Sequence, residues 1–228
     1  MTFQILEIVK NLEKRLMGYC VLLGYRYMNL CTKAEPVSLL SATVVIDGNE
    51  YEIEKVAHAA IPDKMHIYLY PLDKTLIPYI CAAMLKEHPE MKQDIIDDPD
   101  GGEKPGKVIS LSIPPVDEDR KDALTDMVNA LHEDCCKRME MDYNVAVVEA
   151  AKVSMALPAE TQDETKEELK KTYDSFRQNA DKYKENKIKE IEEAYAALGE
   201  EAAKEEEQKK EEQDAKGLDS ILKMTLDN

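Results

Sequence analysis

The chain has no tryptophan and only two phenylalanines. A broad stacking platform for single-stranded nucleic acid therefore has little to be built from, its eleven tyrosines aside. It is also short of base: 30 Lys and Arg face 47 Asp and Glu, a formal charge of -17. Non-specific grip on nucleic acid works by displacing counterions from phosphates with cations. DNA is accordingly not an expected partner, while a local basic patch and protein partners stay open. No apolar stretch approaches the roughly 18 residues that a membrane span needs. The five cysteines are odd in number and contain no C-x-x-C, so they read as reduced thiols of an intracellular or organellar compartment. A Walker loop, a dinucleotide fingerprint and a serine elbow are all missing. Without a converging acid, base and nucleophile, neither an enzyme nor a cofactor is expected.

What the chain does have is a broken helical pattern. Ile5, Val9, Leu12, Leu16, Tyr19, Leu23, Tyr27 and Leu30 recur at spacings of four and three, the stripe of a long helix over residues 2–30. Gly18 and Gly24 weaken that helix by about 1 kcal/mol each relative to Ala. The same stripe argues against a signal peptide, and no organelle-targeting presequence is visible. A second such pattern starts after Asp117, a candidate N-cap, and runs through Leu124, Val128, Leu131, Cys135, Arg138, Asp142, Val145 and Glu149. It is clean early and polar later, where Met127, Met139, Met141, Ala146 and Val148 offer another packed face. Pro158 closes it. A third, capped at Thr161 or Asp163, runs through Leu169, Tyr173, Phe176, Ala180 and Tyr183, then resumes after a phase shift at Ile188, Ile191, Tyr195 and Leu198.

One-sided helices must bury their stripes, and these three do so most simply on one another. The stretch between the first two has strand and turn signals instead. Residues 43–46 read as a strand, Asp47, Gly48 and Asn49 as a hairpin turn, and Tyr51, Ile53 and the Val56 region as the returning strand. Residues 65–70 and 108–113 are further strands, residues 74–86 a short helix, and residues 97–106 (DDPDGGEKPG) a mobile loop by composition. The expected fold class is α+β. Residues 1–30 and 115–198 form a three-helix bundle, residues 31–114 an inserted small α/β domain of sandwich or barrel type, and residues 199–228 an acidic C-terminal extension that is a solvated helix or disordered. The last apolar cluster, Leu218, Ile221, Leu222, Met224 and Leu226, is either a docking peptide or a frayed end.

Three segments, LCTKAEPVSLLSATVV (30–45), IYLYPLDKTLIPYICAAM (67–84) and LSIPPVDEDRKDALTDMV (111–128), resemble in order and spacing the first hinge, the strand with its short helix, and the second hinge of bacterial and organellar ribosome recycling factors. The resemblance covers residues 1–198 and implies an L-shaped molecule whose bundle and small domain are joined by two crossings, at Cys31 and Thr32 and at Pro114 and Pro115. It further implies a bundle lying on large-subunit ribosomal RNA and proteins, and a small domain that works with a translocase GTPase to split post-termination ribosomes. No covalent chemistry is involved. The factor is expected to be a monomer off the ribosome.

Departures from the family pattern are as informative. Cys31, Lys33 and Ala34 stand where the family has two arginines around a glycine. Glu140, Tyr143 and Asn144 stand where it has a basic stretch that meets phosphates, and glutamate there repels phosphate. The remaining rRNA-contact candidates are Arg120, Lys121, Lys137 and Arg138 on the second helix, and Arg26 and Lys33 near the first hinge. Arg120 and Lys121 have a local alternative, pairing with Asp117, Glu118, Asp119 and Asp122. Two functions follow: a recycling factor rebuilt for a protein-rich ribosome, as in a mitochondrial matrix or other organelle, or a relative that serves as a mitoribosome assembly factor or stable ribosomal component.

His132, Cys135 and Cys136 have a spacing that can face one metal. With no fourth ligand nearby they read as buried thiols beside a solvent-facing imidazole, so no metal is expected. Cys20 and Cys31 read as packing residues. Asp73 reads as a helix cap, and His58, His66 and His88 have no accompanying acid and nucleophile.

Overall fold

A computed structural model describes residues 2–39, 42–99, 101–102 and 106–226, with side chains described as far as residue 200 except at residue 37. Helix α1 spans Phe3–Met28, with the Thr2 hydroxyl accepting from the Ile5 amide at its start, and runs unbroken through both glycines. Helix α3 spans Glu118–Ser154 and α4 spans Ala159–Leu226. The three pack on one another, burying Leu12, Leu16, Leu23, Val128, Met139, Leu169, Ala180 and Ile191 in one core. Each large apolar side chain in it contributes on the order of 1.5–3 kcal/mol. The phenol of Tyr27, itself buried, crosses from α1 to donate to the Val128 carbonyl at 3.1 Å.

The packed face of α3 departs from the strict heptad. Val128 and Cys135 are buried as expected, but His132, Met139, Ala146, Ala150 and Ser154 complete the face in place of Arg138, Asp142, Val145 and Glu149. A heptad drifts by about 20° per repeat on a straight helix of 3.6 residues per turn. Over 37 residues the straight helix follows the extra steps of four. Asp142 lies at the α1 edge instead, held by Arg15 at 3.1 Å and by the Tyr19 hydroxyl at 2.9 Å. Helix α4 starts earlier than either expected cap, directly after Pro158, whose carbonyl accepts from the Gln162 amide. It continues as helix to Leu226, the first of the two states open for the acidic extension, while the side chains of its terminal apolar cluster lie outside the described residues.

Between α1 and α3 lies a second core. Strands β1 (Thr43–Ile46) and β2 (Asn49–Glu52) form a hairpin whose turn places both Asp47 and Gly48 at positive φ, the geometry that suits the twist of paired strands. Ile53 opens a short 3₁₀ turn rather than continuing the strand. Strands β3 (Ala57–Ala60), β4 (His66–Pro71), β5 (Lys92–Asp97) and β6 (Lys107–Ser112) form a separate antiparallel sheet in the order β3-β4-β6-β5. The hairpin makes no ladder with this sheet among the described residues, so the six strands do not form a single barrel. Helix α2 (Ile77–Glu87) follows a 3₁₀ turn capped by Asp73 and buries Ile80, Ala83 and Met84 against both sheets. The acidic loop expected over residues 97–106 overlaps the end of β5, and residues 100 and 103–105 of it lie outside the described residues.

The displaced face of α3 has a direct test. Met139→Ala is expected to cost about 2–5 kcal/mol, and Val145→Ala within about 0.5 kcal/mol, in urea unfolding followed by far-UV circular dichroism. A larger loss at Val145 would restore the heptad register.

Candidate functional site

Two crossings join the cores, and one side chain holds both. Asp117 caps α3 by accepting from the Arg120 amide at 2.9 Å, which fixes Arg120 in the first turn. Its guanidinium then donates to the Pro114 carbonyl at 2.6 Å and to the Cys31 carbonyl at 2.7 Å. The two separate amino groups of a planar fork serve the two carbonyls, one each. Burial presses the pKa of Arg120 down, while the charge of Glu90 works in the opposite direction. Cys31 and Thr32 are themselves buried. The Thr32 hydroxyl donates to Glu190 of α4 at 2.5 Å, and Glu190 also accepts from the buried Lys187 at 2.9 Å. The expected hinge residues thus come together, and Arg120, expected to face phosphate, is committed to them.

The other expected rRNA contacts each have a partner within the chain. Arg26 lies 3.2 Å from Asp134, which also takes Arg138 at 3.0 Å. Lys33 pairs with Glu35 at 2.8 Å and Lys137 with Glu133 at 2.7 Å. Lys121 sits 4.4 Å above the ring of Tyr195 and 3.9 Å from Asp122. Exposed pairs of this kind add little to stability and exchange readily, but the carboxylate stays beside the cation and cancels much of its field. At the remaining family positions Glu140 and Asn144 are exposed, and Tyr143 stacks on Tyr173 of α4 with centroids 4.7 Å apart.

A cluster between α3 and α4 joins His132 and Cys136, whose spacing is visible in the sequence, to Arg177 and Asp181, which lie some 45 residues on and carry no signal of this partnership. His132 is buried rather than solvent-facing. Its Nε2 lies 2.8 Å from Asp181 and 3.1 Å from the Arg177 guanidinium, which also reaches the Cys136 thiol. Burial lowers the pKa of His132; Asp181 raises it and Arg177 lowers it further. The helical spacing of His132 and Cys136 therefore serves an arginine, not a metal.

At the other side of the hinge, His88 is fully buried, with Nε2 at 2.6 Å from the Ser38 carbonyl and Nδ1 facing Glu90 at 3.4 Å and Cys31 at 4.0 Å. An acid and a thiol thus accompany His88 after all, brought together across 57 residues. Burial works to lower its pKa, but Cys31, Glu90 and the Ser38 carbonyl prevail and push it up to about 10. On the surface near the hinge, a groove of about 450 Å³ runs between α1 and α4, with Val21, Tyr25, Met28 and Tyr183 in its apolar lining. No helix among the described residues is long and apolar enough to cross a membrane.

A family model described as ribosome recycling factor matches residues 28–192, both crossings included. The ribosome-recycling factor of Symbiobacterium thermophilum is 26% identical over 202 residues, covering 86% of this chain and 96% of that protein. That of Lawsonia intracellularis is 27% identical over 190 residues, covering 81% and 95%. A solution structure of a ribosome recycling factor superposes with a TM-score of 0.69 at 19% identity, covering 85% of this chain and all of that one. A second structure, of the T. thermophilus factor with E. coli elongation factor G on the E. coli post-termination complex, gives 0.55 at 21% identity, covering 83% and 99%. The two-domain, L-shaped architecture is that of these structures.

Two outcomes are expected. A lysine ammonium lacks the two separated amino groups of the fork, so Arg120→Lys should speed exchange of the Ala34 amide, which donates to the Lys64 carbonyl just beyond the first crossing, by about tenfold or more, the loss of one charge-assisted hydrogen bond, while Lys121→Ala leaves it unchanged. For His132 the folded pKa lies below the unfolded value of about 6.5. Its contribution is complete above that value and is lost as pH falls through the folded pKa. The urea midpoint should therefore drop as pH falls below about 6.5, with a flatter profile in His132→Gln. Parallel profiles would remove His132 from the account.

Proposed function

The chain belongs to the ribosome recycling factor family, and from that premise we propose that it binds the large ribosomal subunit and helps a translocase GTPase to split post-termination ribosomes. Like the rest of the family it is not an enzyme. The observation that carries the proposal is the double hold of Arg120 on both crossings. A factor that separates subunits has to pass a push received by one body into the other, and a joint with both strands clasped transmits such a push. The pairing of a relative with an elongation factor on a post-termination complex supports the choice of a translocase as the source of that push.

The bond to the ribosome is proposed to run largely through protein. Every one of the six cationic candidates has an intramolecular partner, and the family's phosphate-facing positions hold Glu140, Tyr143 and Asn144. The apolar groove beside the hinge supports protein contact. A mitochondrial or other organellar address belongs to the same proposal, since it rests on the exchanged arginines; the two relatives named above are bacterial. The same pairing favours a second reading, a non-recycling relative retained on ribosomes as an assembly factor or stable component.

Co-sedimentation with ribosomal subunits across a salt series, run beside a splitting assay with translocase and GTP, separates these. Six to ten phosphate contacts would lose about 10³–10⁵ in affinity between 50 and 200 mM salt. A loss below about tenfold, together with GTP-dependent splitting, is the expected result. Near-unit occupancy that survives high salt without splitting would establish the second reading, and absence from every ribosomal fraction would overturn both.

A further inference from the structure

The triad at the hinge has the chemistry of a metal site. The Ser38 carbonyl can only accept, so Nε2 of His88, 2.6 Å away, carries a hydrogen. Nδ1 is then the nitrogen left to face Glu90 Oε1 at 3.4 Å and Cys31 Sγ at 4.0 Å, and all three donor atoms lie within 4.8 Å of one another. A tetrahedral ion with bonds of about 2.0–2.3 Å separates its ligands by about 3.3–3.8 Å, close to this spacing. An imidazole that ligates through one nitrogen while giving its other hydrogen to a backbone carbonyl has its ring orientation fixed in advance.

We propose that Cys31, His88 and Glu90 bind one zinc ion. Thiolate, imidazole and carboxylate together suit zinc better than the hard cations, which take oxygen. Cys31 and His88 are buried, and Glu90 lies at the surface. A cavity of about 240 Å³ reaches Cys31 and Glu90 and is lined also by Asn29, Pro114, Arg120 and Leu124. It supplies an entry path and room for a water in the fourth position. On binding, the Cys31 thiol and His88 Nδ1 release their protons to solvent. Arg120 faces the triad from α3 and offsets one of the two anionic ligands, so the ion meets a site of net charge -1. The ion ties the first crossing, through Cys31, to the end of α2 and the segment that follows it. His132 and Cys136, which also have a metal-like spacing, both meet the Arg177 guanidinium directly instead.

The site is independent of the ribosomal reading and is tested without ribosomes. Full-length chain, stripped with chelator, is titrated with Co²⁺ as a spectroscopic probe and then with Zn²⁺ in competition, and bound zinc is counted by mass spectrometry after dialysis. One equivalent is expected, with a thiolate-to-cobalt charge-transfer band and the visible bands of a tetrahedral site, all abolished by Zn²⁺. Cys31→Ser and His88→Gln should lose the band. Glu90→Gln, at the surface, should weaken binding by at least about tenfold, and Cys136→Ser should bind as the native chain does. Cobalt bound without a thiolate band, or bound unchanged by Glu90→Gln, would overturn the proposal, as would loss of the band in Cys136→Ser.

Discussion

Two carbonyl oxygens, one on each crossing, meet one guanidinium, and the rest of the molecule is arranged around that meeting. The carbonyls of Cys31 and Pro114 have no helix or sheet to satisfy them, and buried acceptors without donors are costly. Arg120 satisfies both from a position that the Asp117 cap prepares. Each core is complete within itself, so their relative placement depends on this joint. Thr32 and Glu190 brace the first crossing from the α4 side, and the His88 group braces it from the small domain.

Charge explains the surface as the clasp explains the joint. With acid in excess, Arg26, Lys33, Lys121, Lys137 and Arg138 each have a carboxylate within 4 Å. Asp134 takes Arg26 and Arg138 together. The fold tolerates this because none of these pairs lies in either core.

Much of the architecture was legible in the sequence, for identifiable reasons. The α1 stripe could be read because a 26-residue helix accumulates little drift; α3 is longer, and its packed face moved. The β1–β2 hairpin announced itself through Asp47 and Gly48. Strand β3 is Ala-His-Ala-Ala and half of β5 is charged, so neither has the alternating β-branched pattern that reveals a strand, and both are held by their neighbours in the sheet instead. The end of the last strand was readable from Pro114 and Pro115, but the role of Arg120 was not: a cation followed by a lysine and surrounded by acids looks like a surface residue. In the Arg177 group only the spacing of His132 and Cys136 was visible, not the arginine they meet, and the His88 group assembles with Cys31 from a segment 57 residues away.

Inserting one body between two helices of the other also orders events during synthesis. The small domain, residues 31–114, is complete before any of α3 or α4 exists, and domains fold as units while the chain emerges. Helix α1 is made first yet has nothing to pack on. At about 5–20 residues per second, its apolar face stays uncovered for on the order of ten seconds while its two partners are translated. Of the three bundle helices, the first to be made is therefore the one that waits longest for its partners, tethered meanwhile to a folded neighbour.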